Sequence, residues 1–337
     1  MNYKKLSLIA LMVLGAFLGG NYAYAVTITP VRFEISSDPG QIVSGEMIVM
    51  NEQDEIKTLY SSFDNFEARG ENGTPTFVPA AEGLGTWIST EPSITLNPRE
   101  SKVVPFTINV PSGAEAGGHF AAVFWSSNPN EPGQVSIGAK IGTLVLLTVS
   151  GEITEEGKVM DFSTKDGQKK FDALPVGFTY RFQNGGNDRI KPEGLLVIKN
   201  TFGMTTKNLP ANQVEGNVLP KSTRKFEVVW QSGADGSLTL ADAEKITNES
   251  FTETISRQWK NFAFGKYTAY LDLSYGKSNQ AATAMYSFLV LPWQLLLTLL
   301  IALIFALFII KTAITHYNKW VIEQARKGMM PPTQNRS

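Results

Sequence analysis

The hydrophobic pattern of this chain consists of short alternating runs that lie between two continuous apolar segments. In residues 103–110, for example, the even-numbered side chains are all apolar, which predicts a half-buried strand. Comparable runs recur up to residue 288 and are separated by turns such as Pro39-Gly40. About seven short strands separated by turns are typical of a β-sandwich, so we predict one sandwich over residues 26–153.

The second half of this region repeats the order of motifs in the first half. The matched segments are Gly45–Asn51 with Phe178–Asn184, Leu96–Phe106 with Leu219–Val228, and Gly117–Phe124 with Phe264–Leu271. Because the matches come in the same order, they favour a tandem duplication and predict a second sandwich over residues 154–288. The stretch 232–259 is less regular, and 240–246 could form a short inserted helix.

Residues 1–25 have the composition of a cleavable secretory signal peptide. Lys4 and Lys5 precede an apolar run, and Ala23-Tyr24-Ala25 has the small-x-small form that signal peptidase reads. The chain contains no cysteine, so an exported protein would have neither disulfides nor a lipidated N-terminal cysteine. We therefore expect an exported region that is stable through packing alone.

The second apolar segment predicts a transmembrane helix over residues 289–311, and a helix of that length would reach about 34 Å. Trp293 lies near the start of the segment and Trp320 lies in the tail after it, and tryptophan favours the membrane interface. Residues 312–337 form a short basic tail, which favours the cytoplasmic side. We therefore expect a type I, single-pass protein of the cell membrane. Its large N-terminal region would be extracellular, its C-terminus cytoplasmic, and one helix would contact the lipid bilayer.

Charge and histidine content argue against several functions. The net charge is -1 with acids and bases interspersed, which provides no basic stripe for nucleic acid. Of the two histidines, His316 follows the predicted span and His119 lies in a predicted strand. An exported Ser-His-Asp arrangement or a His/Cys zinc site is therefore not expected. We predict no catalytic residues, no metal site and no cofactor.

Trp87 is the tryptophan with the best prospect of being a binding residue. It follows Gly83-Leu84-Gly85-Thr86, and a glycine-rich loop can present an indole ring to solvent. Indole faces stack well on sugar rings. Trp125 and Trp230 instead end predicted strands, where packing in the core is the default.

The first module resembles the WxL-interacting (DUF916) family of Gram-positive cell-surface proteins. The residues that carry the resemblance are Pro39-Gly40, Met50-Asn51, Trp87, Leu96-Asn97-Pro98, Val110-Pro111 and Gly117, together with the terminal apolar helix and its basic tail. In that family two Ig-like domains stand on a membrane anchor; the first is linked to peptidoglycan binding and the second to ligands or partner surface proteins. The resemblance implies two tandem Ig-like β-sandwiches followed by a single transmembrane helix.

The first module is also similar to the N-terminal domain of pilus chaperones. Arg32 on the first strand and Lys140 on the last fall where that family holds the C-terminal carboxylate of a client. A carboxylate between two cations is chemically reasonable, since arginine offers a bidentate fork. This similarity implies a chaperone that binds clients through an unpaired strand edge.

These observations predict a membrane-anchored, noncatalytic binding or adhesion protein of the cell surface. Its partners would be peptidoglycan or another cell-surface protein, with Trp87, Arg32 and Lys140 as the candidate ligand-binding residues. The alternative is a membrane-anchored, chaperone-like assembly factor for surface or pilus subunits that acts by strand augmentation. A hydrolase is a third and more distant alternative, which would need a cleft of perturbed carboxylates.

Overall fold

The computed structural model describes residues 26–129, 140–231 and 250–328. It confirms the predicted fold class, because the chain forms two tandem Ig-like β-sandwiches followed by one long apolar helix. The predicted signal peptide and the predicted short helix at 240–246 lie outside the described residues.

The chain divides into two compact units. The first runs to Glu156 and also contains Asn184–Ile190 and Val218–Thr223, and the second contains Gly157–Gln183, Lys191–Asn217 and everything from Arg224 onward. The predicted domain boundaries at residues 153 and 288 stay predictions.

The first sandwich is built from two sheets and a short helical turn. Its elements are β1 (Val26–Thr29), β2 (Arg32–Ser37), β3 (Ile42–Asn51), β4 (Lys57–Ala68), β5 (Pro75–Pro79), α1 (Leu84–Trp87), β6 (Ile88–Thr90), β7 (Ser93–Leu96), β8 (Ser101–Asn109), β9 (Gly117–Ser126) and β10 (Lys140–Val149). One sheet has the order β1-β3-β8-β6, and the other has the order β2-β10-β9-β4-β5, with β7 also paired to β4.

The chain crosses from one sheet to the other between β1 and β2. β1 pairs antiparallel with β3, whereas β2 pairs parallel with β10, so the change of sheet occurs around Pro30. A proline at this position cannot donate to a ladder, which favours the end of one pairing and the start of another. β2 therefore forms an edge of the larger sheet.

The core of the first sandwich lies between the inner faces of the two sheets. Trp125 is fully buried there, together with Met47, Phe106 and Leu147, which confirms the prediction that Trp125 packs in the core. The indole N–H of Trp125 donates to the Met47 sulfur at 3.3 Å, so it joins the two sheets through one polar contact as well as by packing.

Asn51, which ends β3, is fully buried. Its side-chain amide donates to the carbonyl of Glu55 at 2.8 Å and to that of Asn97 at 3.0 Å. Its side-chain oxygen accepts from the backbone N–H of Gln53 at 3.0 Å. Asn51 thus satisfies backbone groups of two separate turns that would otherwise be buried without partners.

Asn184 has the same arrangement at the corresponding strand end of the repeat. It is also fully buried, and its amide donates to the carbonyls of Asp188 at 2.7 Å and Val218 at 2.9 Å. Its side-chain oxygen accepts from the N–H of Gly186, two residues later, at 2.9 Å. The side-chain oxygen of Asn51 likewise accepts from the N–H of Gln53, two residues later. This recurrence is what a tandem duplication predicts.

Replacing Asn51 by alanine should destabilise the first sandwich by about 3 kcal/mol, since each buried backbone group left without a partner costs about 1–3 kcal/mol. Chemical denaturation of the full chain in detergent, followed by circular dichroism, measures the change. Asn72→Ala is the matched control, because Asn72 is exposed and bonds only its own turn through the N–H of Thr74. Equal effects of the two substitutions would show that burial of Asn51 does not matter.

The second sandwich consists of a three-stranded and a five-stranded sheet. Its elements are β11 (Gly157–Thr164), a 3₁₀ turn (Lys165–Gly167), β12 (Lys170–Phe171), β13 (Val176–Asn184), β14 (Glu193–Lys199), β15 (Thr205–Pro210), β16 (Ser222–Trp230), α2 (Phe251–Lys260), β17 (Gly265–Tyr275) and β18 (Gln280–Val290). The sheets have the orders β11-β13-β16 and β12-β18-β17-β14-β15. Trp230 is buried against Tyr267 and Phe288, which confirms its prediction as a core residue.

The C-terminal helix α3 (Trp293–Gly328) begins later and ends later than the predicted span of 289–311. Residues 289 and 290 belong to β18, where they pair with Lys266 and Gly265 of β17. Pro292 has no N–H and suits the position just before a first helical turn. Beyond residue 311 the sequence has no glycine or proline before Gly328, so the helix continues into the predicted tail. Its segment Trp293–Ala325 is long and apolar enough to cross a membrane.

Candidate binding surface on the first sandwich

Arg32 and Lys140 lie on the same face of the larger sheet, on neighbouring strands. Arg32 begins β2 and is in register with Leu144, while Lys140 begins β10. Lys140 precedes Leu144 by an even number of residues, so the two cations share a face and are about 13 Å apart along the strands. Phe33 and Val145, the neighbours of Arg32 and Leu144, pack into the core, which places both cations on the outer face.

Each cation has a carboxylate of its own nearby. Arg32 Nε lies 2.9 Å from Glu34 Oε1, and Lys140 Nζ lies 3.9 Å from Asp64 Oδ2. Lys140 also lies 5.7 Å from the centre of the Phe124 ring. All of these charged side chains are partly exposed, so the pairs contribute little to stability. The two cations therefore stand beside separate acids and do not converge on one anion site.

β2 covers only part of the edge of β10. The N–H of Leu144 donates to the carbonyl of Val31 at 3.0 Å, so the even-numbered residues of β10 direct their backbone groups toward this edge. Among the described residues, no strand pairs with β10 on this side before Leu144. Lys140 and Gly142 therefore present a short row of backbone donors and acceptors, which we call the β10 edge. An extended segment of another chain could extend the sheet there.

Phenylalanines cover the outer face next to the β10 edge. Phe77 of β5 lies 4.8 Å from Phe124 of β9, and Phe66 of β4 lies 5.7 Å from Phe120 of β9, measured between ring centres. Phe66 and Phe124 are buried, whereas Phe77 is 41% exposed. The outer face is therefore apolar and aromatic at its centre, with Arg32, Glu34, Asp64 and Lys140 around it.

Sequence reasoning missed this aromatic face, although a signal for it was present. Residues 120–125 are apolar at every position and not at every second one. A strand that is apolar on both sides has both faces covered, which here means the core on one side and the aromatic face on the other.

Gly142 of the β10 edge is required by the aromatic face. It pairs with Phe124, and a Cβ at residue 142 would lie 2.5 Å from a carbon of that ring. Gly142→Val should displace the ring and destabilise the first sandwich by about 1–3 kcal/mol, as overpacking does. Thermal unfolding of the full chain measures the effect. Gly113→Val is the control, because a Cβ there meets nothing within 4 Å; equal losses in both variants would contradict this role of Gly142.

Trp87 lies apart from Arg32 and Lys140. Its ring is half-buried, packs on the core and lies 4.8 Å from the ring of His119, measured between ring centres. His119 and Ser126, the register partner of Lys140, are seven residues apart on β9, which corresponds to about 24 Å. Trp87 packs on the core side, whereas Arg32 and Lys140 lie on the outer face, so the structure separates the three predicted binding residues into two places, and α1 holds Trp87 against the sandwich.

The two tryptophans predicted at the membrane interface are both on α3. Trp293 is its first residue and is 53% exposed, and Trp320 is 54% exposed and lies 6.1 Å from the Tyr317 ring, measured between ring centres. Their roles at the membrane stay predictions. Within the described ranges, no group of three or more His, Cys, Asp or Glu side chains could hold a metal ion.

No protein-family model matches the chain. No curated protein matches it. Among solved structures, the chain is similar to the class 5 fimbriae chaperone CfaA at 11% identity and a TM-score of 0.37, with 79% of this chain and 100% of that one covered. It is also similar to a Salmonella enterica SafA pilin–SafB chaperone complex at 8% identity and a TM-score of 0.35, with 80% and 99% covered.

A third similar structure is the Pseudomonas aeruginosa CupB2 chaperone, at 7% identity and a TM-score of 0.33, with 78% of this chain and 100% of that one covered. No family model supports the resemblance to the WxL-interacting family.

Proposed function

We propose that this chain is a membrane-anchored, noncatalytic protein of the cell surface that binds an extended segment of another surface protein by strand addition at the β10 edge. The observation that carries the proposal is that, among the described residues, the pairing of β10 on this side begins at Leu144 with β2. The chain would thus be a surface binding protein, as predicted above, and would bind by strand augmentation, as in the chaperone-like alternative.

Backbone geometry supports strand addition at this site. The backbone N–H and C=O groups of Lys140 and Gly142 point toward the side of β10 on which β2 pairs. Before β2 the chain forms β1, which belongs to the other sheet. Main-chain hydrogen bonds would supply affinity that does not depend on the client sequence, and the neighbouring side chains would supply selectivity.

The side chains next to the edge favour a particular kind of segment. The Phe124 ring covers Gly142 of the β10 edge and Phe77 packs against that ring, so the sheet next to an added strand is apolar. This favours alternate apolar side chains in the added strand. Lys140 favours a carboxylate or another acidic group close to the added strand. We therefore propose a client segment with alternating apolar residues and an acidic group.

Anchoring by α3 would hold this surface outside the cell membrane. The helix has the length and composition to cross a bilayer, and the basic residues after it favour a cytoplasmic C-terminus. A tethered binding protein would capture partners as they leave the membrane, or hold them at its surface.

Binding of peptidoglycan through Trp87 stays a prediction with less support. The ring packs against His119 and the core, so part of its surface is already covered. Cosedimentation of the wild type and of Trp87→Ala with purified peptidoglycan would test it.

A photo-crosslinking amino acid at position 140 of the full chain, in the cells that produce it, tests the proposed function. We expect a discrete adduct with another surface protein, and mass spectrometry should map it to an extended segment. Position 42 is the matched control, because Ile42 is 72% exposed at the start of β3, in the other sheet. Adducts of equal yield at both positions, or none at 140, would refute strand addition at this edge.

A further inference from the structure

One end of the second sandwich is defined by the start of α3. β18 ends at Val290, which pairs with Gly265 at the start of β17, and the helix begins three residues later. Lys199, the last residue of β14, pairs with Thr268 near the same end. The turn between β14 and β15 and the loop before β17 therefore lie beside the point where α3 leaves the sandwich. Thr201 in that turn donates from its hydroxyl to the carbonyl of Lys266 at 2.9 Å and joins the turn to the start of β17.

These loops and the end of α2 carry exposed apolar side chains. Phe202 is 84% exposed, Met204 58%, Trp259 66%, Phe262 57% and Phe264 56%. We call these residues the apolar ring. The turn between β17 and β18 at the opposite end, residues 276–279, reads Gly-Lys-Ser-Asn and is polar. A contiguous apolar surface of this kind marks a place of contact with a partner or a membrane.

The helix α2 ties the apolar ring to the start of α3. Gln258 is fully buried, and its side-chain oxygen accepts from the N–H of Leu295 at 2.9 Å, which satisfies a donor in the first turn of α3. Its amide donates to the side chains of Gln294 and Asp172. Arg257 donates to the same Asp172 carboxylate at 3.0 Å. Trp259 is the residue after Gln258 within α2, so its position relative to the span is fixed by this network.

Exposed lysines accompany the apolar ring. They are Lys169 and Lys170 around the start of β12, Lys260 at the end of α2 and Lys266 on β17. β12 pairs with residues 289 and 290, so its lysines lie at the same end of the sheet as the start of α3. Lysines beside aromatic side chains are the composition that favours the headgroup region of a membrane with anionic lipid.

From these contacts we infer that the end of the second sandwich lies in the headgroup region of the same bilayer that α3 crosses, with Phe202, Met204, Phe262 and Phe264 inserted among the lipids. The inference rests on the proposed anchoring by α3. The bilayer is the occupant that the structure favours, because Gln258, next to Trp259 of the apolar ring, bonds the first turn of α3 at Leu295, where the span begins. An end that is inserted in this way restrains the sandwich on the membrane, whereas a single flexible tether would not.

The absence of cysteine makes the test direct, because single-cysteine variants need no other change. A nitroxide label is attached at Phe202→Cys and at Phe264→Cys in the full chain, reconstituted in vesicles of phosphatidylcholine and phosphatidylglycerol. Val214→Cys is the matched control, since Val214 is 72% exposed in a loop at some distance along the sandwich. Leu303→Cys in α3 reports the lipid environment itself. Power-saturation spectroscopy compares collisions with oxygen, which is concentrated in lipid, and with a water-soluble nickel complex.

We expect the labels at 202 and 264 to collide more with oxygen and less with nickel than the label at 214, in the same direction as the label at 303. Water-like values at 202 and 264 with lipid-like values at 303 would overturn the inference and leave the anchor intact. Water-like values at 303 would overturn both. Protection of 202 and 264 from both reagents would also overturn it, because it would show a protein partner or a second copy on the ring.

Discussion

Leu303→Arg combined with Phe305→Arg, in the middle of α3, is expected to release the chain from the membrane. Both side chains are more than half exposed and belong to the apolar segment that can cross a bilayer. An arginine at the centre of a span costs about 2.5–3.5 kcal/mol by insertion scales, so the pair should cost about 5–7 kcal/mol before the lost apolar contacts are included. The measurement is the fraction of full chain that stays in the membrane pellet after alkaline carbonate extraction.

Leu303→Ala combined with Phe305→Ala is the control for this prediction. It removes the same large side chains but introduces no charge, so the chain should stay in the pellet. A double-arginine variant that pellets like the alanine control would contradict a membrane-spanning role for α3.

The second large effect is expected from Trp125→Ala, which should destabilise the first sandwich by about 3–5 kcal/mol. Trp125 is among the largest fully buried side chains, and its removal leaves a cavity between the two sheets and takes away the contact with the Met47 sulfur. Denaturation of the full chain in detergent, followed by far-ultraviolet circular dichroism, measures the shift of the transition that belongs to the first sandwich.

Val31→Ala controls for substitution of an apolar side chain at the surface, since Val31 is 75% exposed. Exposed substitutions of this kind usually change stability by less than about 0.5 kcal/mol. If Trp125→Ala had a similarly small effect, Trp125 would not be a core residue.

The fold could be predicted from the sequence because its signals are local and repeated. Alternation in residues 103–110 depends on the two-residue period of a strand, and the asparagines that end β3 and β13 follow from the need to satisfy buried turns. The exact start of α3 was harder to predict. Residues 289–291 are as apolar as the helix that follows, and only pairing with β17 and β12 assigns residues 289 and 290 to β18.

The candidate site was predictable only in part. Arg32 and Lys140 were placed on the first and last strands, but their separation from Trp87 depends on register along β9, which a single sequence does not contain. The open part of the β10 edge likewise depends on where β2 begins to pair. Gln258 lies in the segment that the sequence showed as irregular, and its bond to Leu295 joins two elements that are distant in the chain.

The measurement that tests the central claim most directly is the affinity of the full chain in nanodiscs for the client segment that crosslinks at position 140. It is measured as fluorescence anisotropy of a labelled peptide for the wild type, Lys140→Gln and Lys140→Pro. Glutamine removes the charge and keeps the backbone N–H, whereas proline also removes the N–H that faces the open edge. Strand addition predicts that proline weakens binding about tenfold more than glutamine, which corresponds to about 1.4 kcal/mol and matches the loss of one main-chain hydrogen bond. Equal affinities of the proline and glutamine variants would contradict it.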